Sequence, residues 1–578
     1  MHGRLAALSP SPEANAHHLA LATPEPDERV AAALSAAVES SAGRGASAAA
    51  LELARLALSR TVDPTGPAGW ERRIRLAEIL YLSGDTNETL ALLADLSSCP
   101  PGPARARAWL QLAQLEWNNS TRSRAQAAAL HAFEDADDDD EIRVQALLQL
   151  AAFSRSADER VERTAAARAI MDAAGIADPQ LHAWALCEDV QARFHSGHGL
   201  DRATLDRAFE GEGAVPFADG QTGSVRPFLL AHADASAEAL AGFQDLRERA
   251  ELEGNEGLVP YALSHIPGCL IRQGRFLEAR AAAQEHLFRS EASGQIHQRL
   301  QAMTNLSLAN IYLGNMQDAT RGAEALLAWA QEHEGQMEGA AMSILAFAAL
   351  SVGDFPGART WYERYEATLE PSRSVDPGVD RYDGDLIETL IATGALDDAT
   401  SRTESLRCRA ERSGRISAAA TAERCQGLLD AAHGDHESAL VHLDAALVLH
   451  GQIDAPFEAA RTLMTKGIVH RRAKEKRLAT TALAGARESF VAMSASPWAA
   501  RAEVELQRVG LRAAGPLELT VTERRIAELV ATGLTNRQVA QQAFISAKTV
   551  EANLAKIYRK LGISSRAQLG AHMATGPE

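Results

Sequence analysis

Apolar residues recur at helical spacing along most of the chain, and short turn-like segments interrupt them at regular intervals. Five of these segments begin with a glycine, with steps of 40, 39, 41 and 40 residues between them, and an alanine follows five positions after each. The pairs are Gly274 and Ala279, Gly314 and Ala319, Gly353 and Ala358, Gly394 and Ala399, and Gly434 and Ala439. Glycine can end a helix in the left-handed conformation, and a small alanine lets the next helix lie close. The pattern predicts stacked helical hairpins, because neither helix can bury its apolar face alone.

The step from glycine to alanine resembles the tetratricopeptide repeat. That family has a period of 34 residues, so the repeat here is longer by about six, which indicates longer helices. A fainter copy lies at Gly84, and another near Lys474 keeps the step without the glycine. The resemblance implies an all-α body wound into a superhelix. The alternative is a set of helical hairpins without a shared superhelix.

Composition shifts divide the chain into five predicted parts. Segments 197–227 and 371–384 are rich in glycine, aspartate or proline, which predicts interruptions of the array. Prolines and glycines after Met493 predict a linker. The predicted parts are a helical junction segment at 1–60, degenerate helical repeats at 61–250, tetratricopeptide-like repeats at 251–495, a linker at 496–516 and a C-terminal domain at 517–578.

The C-terminal segment carries start and stop signals for four short helices. The signals are capping-box spacings at Thr520 and Glu523, Thr535 and Gln538, and Ser565 and Gln568, a cap at Ser546, and helix-ending glycines at Gly533 and Gly562. Two helices joined by a tight turn, the second about four turns long, have the form of a helix-turn-helix DNA reader.

The third of these helices has one apolar stripe, formed by Val550, Leu554, Ile557 and Leu561. The opposite face has small residues at its centre and cations around it. Small residues let a helix approach the floor of a major groove, and lysine and arginine neutralise phosphates. An ordinary solvated surface helix would show a similar face, but the capped helices on both sides favour the reader.

This segment resembles the LuxR-type helix-turn-helix domain at about a dozen positions of fixed spacing. The matching residues are Leu519, Thr520, Glu523, Gly533, Thr535, Asn536, Val539, Ala540, Ser546, Thr549, Val550, Asn553, Leu554, Lys560, Leu561, Ser565 and Arg566. The segment departs from the family at Val521 and Thr522, where Pro-Arg is common, and at Ala527 and Ala543, where larger apolar residues are usual. None of these departures removes a polar residue from the third helix.

The resemblance implies a transcriptional regulator, and an activator, that binds double-stranded DNA. The residues expected in or beside the major groove are Lys548, Glu551, Ala552, Asn553 and Lys556. Those expected to hold phosphates are Thr535, Asn536, Thr549 and Arg559. Relatives dimerise through the last helix, here roughly Ser565–Met573, so the resemblance implies a homodimer on two half-sites. It also implies RNA polymerase as a partner. The residues show no phosphate-binding loop and no metal-site pattern, so we predict neither a cofactor nor a metal.

The net charge of −18 is unevenly distributed. Residues 517–578 contain eight basic and five acidic side chains, whereas the rest of the chain carries 50 basic and 71 acidic ones. DNA repels an acidic body and attracts a basic tip, so the charge agrees with a reader at the C-terminus.

Five scattered cysteines without metal-site spacing favour a reducing compartment. The start of the chain lacks the pattern of a signal peptide, and no apolar stretch has the length of a membrane span. We therefore predict a cytoplasmic protein without a membrane partner.

Residues 17–54 resemble the junction between the ATPase module and the helical repeats in large ATP-binding LuxR-type regulators. The matching residues are His18, Leu19, Ala20, Pro26, Asp27, Val30, Ala31, Arg44, Gly45, Ala46, Ala49, Ala50, Leu53 and Ala54. The sequence given has no phosphate-binding loop, and none of its six lysines follows a glycine. It also shows no Ser-His-Asp or Cys-His arrangement, so we predict no enzymatic activity.

Two functions remain open from the sequence. In the first, the acidic repeats bind a protein or small-molecule effector and the C-terminal domain reads DNA. In the second, the chain is a protein interaction scaffold whose helix-turn-helix domain is weak or auxiliary. Charge reversal at Lys548 and Arg559 discriminates between them.

Overall fold

The computed structural model describes the chain except residues 1–10, 45, 155, 211–220, 334, 336, 370–374, 380, 511–518, 520, 544, 562 and 575–578, and leaves out a few side chains within helices, Arg559 among them. Every regular element in this described part is helical, so the prediction of an all-α chain is confirmed. The chain forms two compact units, Met1–Glu505 and Leu506–Glu578, which we call the body and the reader.

The body is a succession of helices, most of them packed against the next. The first twelve are α1 Pro12–Ala22, α2 Glu28–Ala42, α3 Ser47–Ser59, α4 Pro67–Leu82, α5 Thr86–Leu93, α6 Pro103–Asn119, α7 Arg122–Asp135, α8 Asp140–Ala152, α9 Ala157–Ala174, α10 Pro179–His195, α11 Arg202–Phe209 and α12 Gln221–His232.

The helices that follow pair into tetratricopeptide-like hairpins. They are α13 Ser236–Glu253, α14 Val259–Arg272, α15 Phe276–Ser293, α16 Ile296–Leu313, α17 Met316–Glu332, α18 Glu338–Val352, α19 Phe355–Ala367, α20 Asp383–Ala392, α21 Leu396–Ser413, α22 Ile416–His433, α23 His436–His450, α24 Pro456–Arg472, α25 Lys476–Ala492 and α26 Ser496–Gly510.

The predicted turn is confirmed at all five glycines. Their φ angles lie between 71° and 88°, and the alanine five positions after each glycine is fully buried. Two further copies lack the glycine: Asp234 and Lys474 adopt the left-handed conformation with φ of 64° and 68°. Ala239 and Ala479, five positions on, are also fully buried. The array therefore begins one repeat earlier than the glycines indicate.

A second left-handed turn, which the sequence analysis did not identify, joins three of the hairpins to the next. Gly254, Gly294 and Gly414 end α13, α15 and α21 with φ of 68°, 69° and 67°. In these three repeats each helix is bounded by its own sharp turn, which explains how a repeat of about 40 residues closes without a long loop.

Distant parts of the body contact one another. The backbone N–H of Gly257 donates to the carbonyl of Leu82 at 3.3 Å, and that of Ile296 donates to the Asn119 side chain, 177 residues away, at 3.3 Å. Further on, the backbone N–H of Ser417 donates to Asp234, 183 residues away, at 3.0 Å. These separations correspond to between four and five repeats of the predicted period, so parts of the array that are several repeats apart pack together.

A network of charged side chains lies inside the body. The guanidinium of Arg461 is 2.6 Å from the Asp385 carboxylate and 2.7 Å from that of Glu388. Arg424 is 3.2 Å from Glu388 and 2.9 Å from Glu458. Both arginines are almost completely buried, and they remain tolerable there because each has two or more carboxylate partners.

Residues 496–510 differ from the expected linker. They form α26. Pro497 does not interrupt this helix, because it lies in the first turn, where a missing backbone N–H costs nothing. Trp498 is fully buried and lies between the guanidinium groups of Arg461 and Arg501, at 4.6 and 4.3 Å from the ring centre. The predicted residues 511–516 of the linker lie outside the described residues.

The other predicted limits within the body remain predictions. Helices occupy parts of both expected interruptions, α11 and the start of α12 in 197–227 and the start of α20 in 371–384. In the described part of the chain, no helix combines the length and the apolar character that crossing a membrane requires.

Candidate nucleic-acid interface

The reader contains four short helices at the predicted positions. They are α27 Val521–Ala531, α28 Asn536–Gln542, α29 Ala547–Leu561 and α30 Arg566–Ala574. Thr535 and Gln538 form the predicted reciprocal capping box at the start of α28. The Ser546 hydroxyl accepts from the Thr549 backbone N–H at 3.1 Å, which satisfies an otherwise unpaired donor at the start of α29.

The turn before α28 and the start of α30 also follow the sequence signals. Gly533 has φ of 91°, which suits glycine. The Ser565 hydroxyl accepts from the Gln568 backbone N–H at 3.3 Å, and the Gln568 side chain accepts from the Ser565 backbone N–H at 3.2 Å. Thr520 and Gly562, named as a cap and a stop, lie outside the described residues.

One apolar core fixes how the helices of the reader are arranged. Val550, Leu554 and Ile557 are buried and Leu561 is partly buried, so the predicted stripe of α29 faces inward. They pack with residues of the other three helices, namely Ile526, Ala527, Val530, Val539, Ala540 and Leu569. Because the stripe occupies one side of α29, the opposite side is presented to solvent.

That opposite side carries most of the predicted contact residues. Lys548, Thr549, Glu551, Ala552 and Lys556 are all exposed. Within the described residues, neither lysine forms an ion pair, so both charges are available to an incoming anion. Arg559 lies on α29, but its side chain is outside the described part of the structure.

Three predicted contact residues lie at the start of α28 or within α29. Thr535 is exposed, and Asn536 is half-buried, with its side-chain oxygen accepting from Arg566 at 3.1 Å. Asn553 is half-buried, and its amide donates to the carbonyl of Thr549 at 2.8 Å. Each asparagine therefore has part of its hydrogen-bonding capacity committed within the reader.

Two cations of the reader stabilise its fold, a role that the sequence analysis did not assign. The Lys560 Nζ is 2.5 Å from Glu523, which joins α29 to α27. The Arg566 guanidinium donates to the carbonyls of Leu534 and Val530, and so anchors α30 to the end of α27 and the following turn. Both residues are among the positions that match the family, but the resemblance assigned neither of them a structural role.

Three further cations of the reader are exposed and were not named as candidates. They are Arg524 and Arg525 on α27 and Arg537 on α28. Arg537 lies two positions before the buried Val539, roughly 200° away around the helix, and that spacing is the signal that could have placed it outward. The reader therefore presents cations from three helices.

The described residues contain no group of three or more histidine, cysteine, aspartate or glutamate side chains placed to hold a metal ion.

A short capped helix, a tight turn and a longer helix with an outward polar face together define a helix-turn-helix domain.

Comparison with known proteins assigns this domain to a family. The family described as "Bacterial regulatory proteins, luxR family" matches residues 517–574. The C-terminal domain is therefore a luxR-family helix-turn-helix domain, as the sequence analysis predicted.

The matching relatives share only this region. The provisionally named HTH-type transcriptional regulators Mb0914c of Mycobacterium bovis and Rv0890c of Mycobacterium tuberculosis are each 47% identical over 51 residues. The match covers 9% of this chain and 6% of each relative, so it concerns a small part of both proteins.

The body is similar to solved helical proteins of low sequence identity. One is the APC/C hetero-tetramer Cut9–Hcn1, with 14% identity, 87% of this chain and 92% of that chain covered and a TM-score of 0.45. Another is a Rap protein complexed with competence and sporulation factor, with 13% identity, 67% and 100% coverage and a TM-score of 0.38. The assignment of repeats rests on the turns and helix order described above.

Proposed function

We propose that the protein is a sequence-specific DNA-binding transcriptional regulator, with α29 lying in the major groove. The observation that carries the proposal is the outward face of α29, where Lys548 and Lys556 flank the small residue Ala552 opposite a fully apolar inner stripe. An α-helix fits the major groove, and a small central residue lets the helix backbone approach the bases.

The proposed contacts divide into two groups. Lys548, Glu551, Ala552, Asn553 and Lys556 face base edges, and Glu551 can accept from the amino group of a cytosine. Phosphates are held by Thr535 and Thr549 at the starts of α28 and α29, by Asn536 and by Arg559. Helix starts suit this role because their backbone N–H groups and the helix dipole both favour an anion.

We further propose that the chain acts in the cytoplasm as a homodimer on two half-sites, with α30 forming the dimer contact. In this proposal it activates transcription through RNA polymerase, and the body binds a protein or small-molecule effector. We assign no catalytic role to either unit.

The experiment is selection of genomic DNA fragments by the full chain over a salt series. The test variant reverses both exposed charges of α29, as Lys548→Glu with Lys556→Glu. The matched control reverses two exposed charges of α25 in the body, as Lys476→Glu with Arg477→Glu. Both variants change the net charge equally, so a general effect of charge is the same in the two.

Enrichment of a short repeated motif by the wild type and the control, lost in the test variant, supports the proposal. Each phosphate contact adds about 0.9 to the slope of log affinity against log salt, so the affinity falls steeply as salt rises. Absence of an enriched motif at every salt concentration contradicts it and favours the interaction scaffold.

A further inference from the structure

One arginine of the reader joins three of its segments. Arg566, the first residue of α30, is half-buried, and its guanidinium donates to the carbonyls of Val530 near the end of α27 and of Leu534 in the following turn. The same guanidinium donates to the side-chain oxygen of Asn536, the first residue of α28, at 3.1 Å. Arg566 therefore contacts Asn536 in the fold although the two are 30 residues apart in the chain.

The core of the reader brings these two side chains together. Asn536 lies three positions before the fully buried Val539. Arg566 in turn lies three positions before the fully buried Leu569. Residues three apart lie on the same side of a helix. Because Val539 and Leu569 pack in one core, the two polar side chains are held at its edge, within reach of each other.

The chemistry of the two groups decides which way the carboxamide of Asn536 is turned. A guanidinium has only donors, so the carboxamide atom that meets it is the oxygen. The amide nitrogen points away from the guanidinium, and no hydrogen bond from it exists among the described residues. A carbonyl that accepts from a charged donor is polarised, which makes the N–H groups of the same amide stronger donors. Arg566 thus prepares Asn536 to donate to an anion.

We propose that Arg566 is a positioning residue for DNA binding, which turns the amide nitrogen of Asn536 towards a phosphate of the duplex. The inference rests on the proposed function and adds a residue that this function did not include. Arg566 acts through Asn536 and not on a phosphate itself, because both of its terminal nitrogens already donate within the reader. Without Arg566 the carboxamide is free to turn, and the phosphate contact weakens.

Two other roles would leave Arg566 with the same contacts. It could stabilise the fold alone, through the carbonyls of Val530 and Leu534, or it could contact a phosphate directly. A role in the fold alone weakens DNA binding by the same factor whether or not Asn536 is present, whereas a positioning role needs Asn536. A direct contact adds roughly 0.9 to the slope of log affinity against log salt, whereas a neutral amide adds nothing to it.

The experiment is a double-mutant cycle in the full chain, with Arg566→Met, Asn536→Ala and both together. Fluorescence anisotropy measures affinity over a salt series for two labelled duplexes, one with the motif enriched in the genomic selection and one of mixed sequence. Both are used because a phosphate contact is common to all sequences. Hydrogen–deuterium exchange of α27 to α30 gives the folded fraction of the reader, by which each affinity is corrected.

Each single variant should bind both duplexes about threefold to tenfold more weakly, which corresponds to one hydrogen bond. In the Asn536→Ala background, Arg566→Met should weaken binding by less than about a further twofold. The salt slope should stay unchanged throughout the cycle.

Asn536→Asp separates the fold from the contact. Aspartate has the shape of asparagine and still accepts from Arg566, so the exchange protection of the reader should be kept. Both of its terminal atoms are acceptors, however, and the outward one repels a phosphate. Gln541→Glu makes the same change in charge at an exposed position of α28, about 140° further round the helix, and is the matched control. Asn536→Asp should weaken binding about tenfold more than the control does.

Three results would overturn the inference and leave the proposed regulator intact. They are equal losses from Arg566→Met with and without Asn536, a lower salt slope in Arg566→Met, and equal losses in Asn536→Asp and Gln541→Glu. Absence of binding to either duplex by the wild type would overturn the proposed function and the inference together.

Discussion

The ammonium of Lys560 lies 2.5 Å from the carboxylate of Glu523 and links the recognition helix α29 to the first helix of the reader. Both side chains are largely buried, with 17% and 7% of their surfaces exposed. Removing one partner of a buried ion pair strongly destabilises the fold, because the remaining buried charge is left without compensation. The pair therefore fixes where α29 presents its outward face.

Glu523→Gln should loosen the reader. The change leaves Lys560 charged and poorly compensated, and we expect the reader to lose roughly 1–3 kcal/mol of stability. Hydrogen–deuterium exchange of α27 and α29 in the full chain measures this loss directly. The double variant Glu523→Gln with Lys560→Met should recover part of the protection, and failure to recover would mean that Glu523 acts through another contact.

Lys474→Gly should stabilise the body. Lys474 is exposed and has φ of 68°, a conformation that costs a residue with a β-carbon more than it costs glycine. We expect a gain of about 0.5–1 kcal/mol after the greater freedom of glycine in the unfolded chain is counted. The urea midpoint followed by tryptophan fluorescence measures it. Glu488→Gly, at an exposed position inside α25, should instead destabilise, and a gain there would contradict the explanation.

Ala319→Leu should destabilise the body by about 1–3 kcal/mol. Ala319 is fully buried where α17 approaches its partner, so extra methyl groups have no space. Ala292→Leu at an exposed position of α15 is the matched control and should change stability by less than about 0.5 kcal/mol. Equal effects in urea unfolding would mean that the buried alanine does not set the helix spacing.

The stability of the body should fall as the pH is lowered from 6.5 towards 4. Burial, with Arg272 and His297 adding to it, lowers the pKa of His265 from 6.5 to about 4. Between these values the unfolded chain binds a proton that the folded chain does not, so stability is complete above pH 6.5 and declines below it. His265→Phe preserves stacking on Phe243, 4.7 Å away, and should flatten the decline in Tm.

The exposed His198→Phe is the control for that measurement and should leave the slope unchanged. An unchanged slope in His265→Phe would assign the pH dependence to other buried groups.

Arg537→Gln should weaken DNA binding by the same factor at matched and unmatched sequences. Arg537 is exposed on α28, and a phosphate contact carries no sequence information. The slope of log affinity against log salt should fall by roughly 0.9, as measured by fluorescence anisotropy on an operator and on an unrelated duplex. A loss confined to the operator would instead make Arg537 a base-reading residue.

Signals that act within one or two helical turns were sufficient to predict most of the reader. The capping box at Thr535 and the inward stripe of α29 depend on neighbours three or four positions away, so a sequence can encode them locally. Lys560 and Glu523 are 37 residues apart, and nothing in their local patterns pairs them. Their role is therefore visible only in the folded domain.

The repeat array shows the same division. Regular glycines predicted the turns, but Asp234 and Lys474 take the same conformation without a glycine signal, because the neighbouring helices hold them in it. Pro497 and Gly510 contributed to the prediction of a linker, yet burial of Trp498 against Ser351, 147 residues away, stabilises a helix there.

The sequence by itself determined the helical class, the repeat period and the luxR-type reader, because these follow from periodicity, caps and turn residues that act over short distances. Only the tertiary structure decided which side chains meet inside the body. Packing between repeats far apart in the chain places the Ser417 backbone N–H against Asp234, and it buries Arg461 beside Asp385 and Glu388, because contacts over such separations are not encoded in any local pattern.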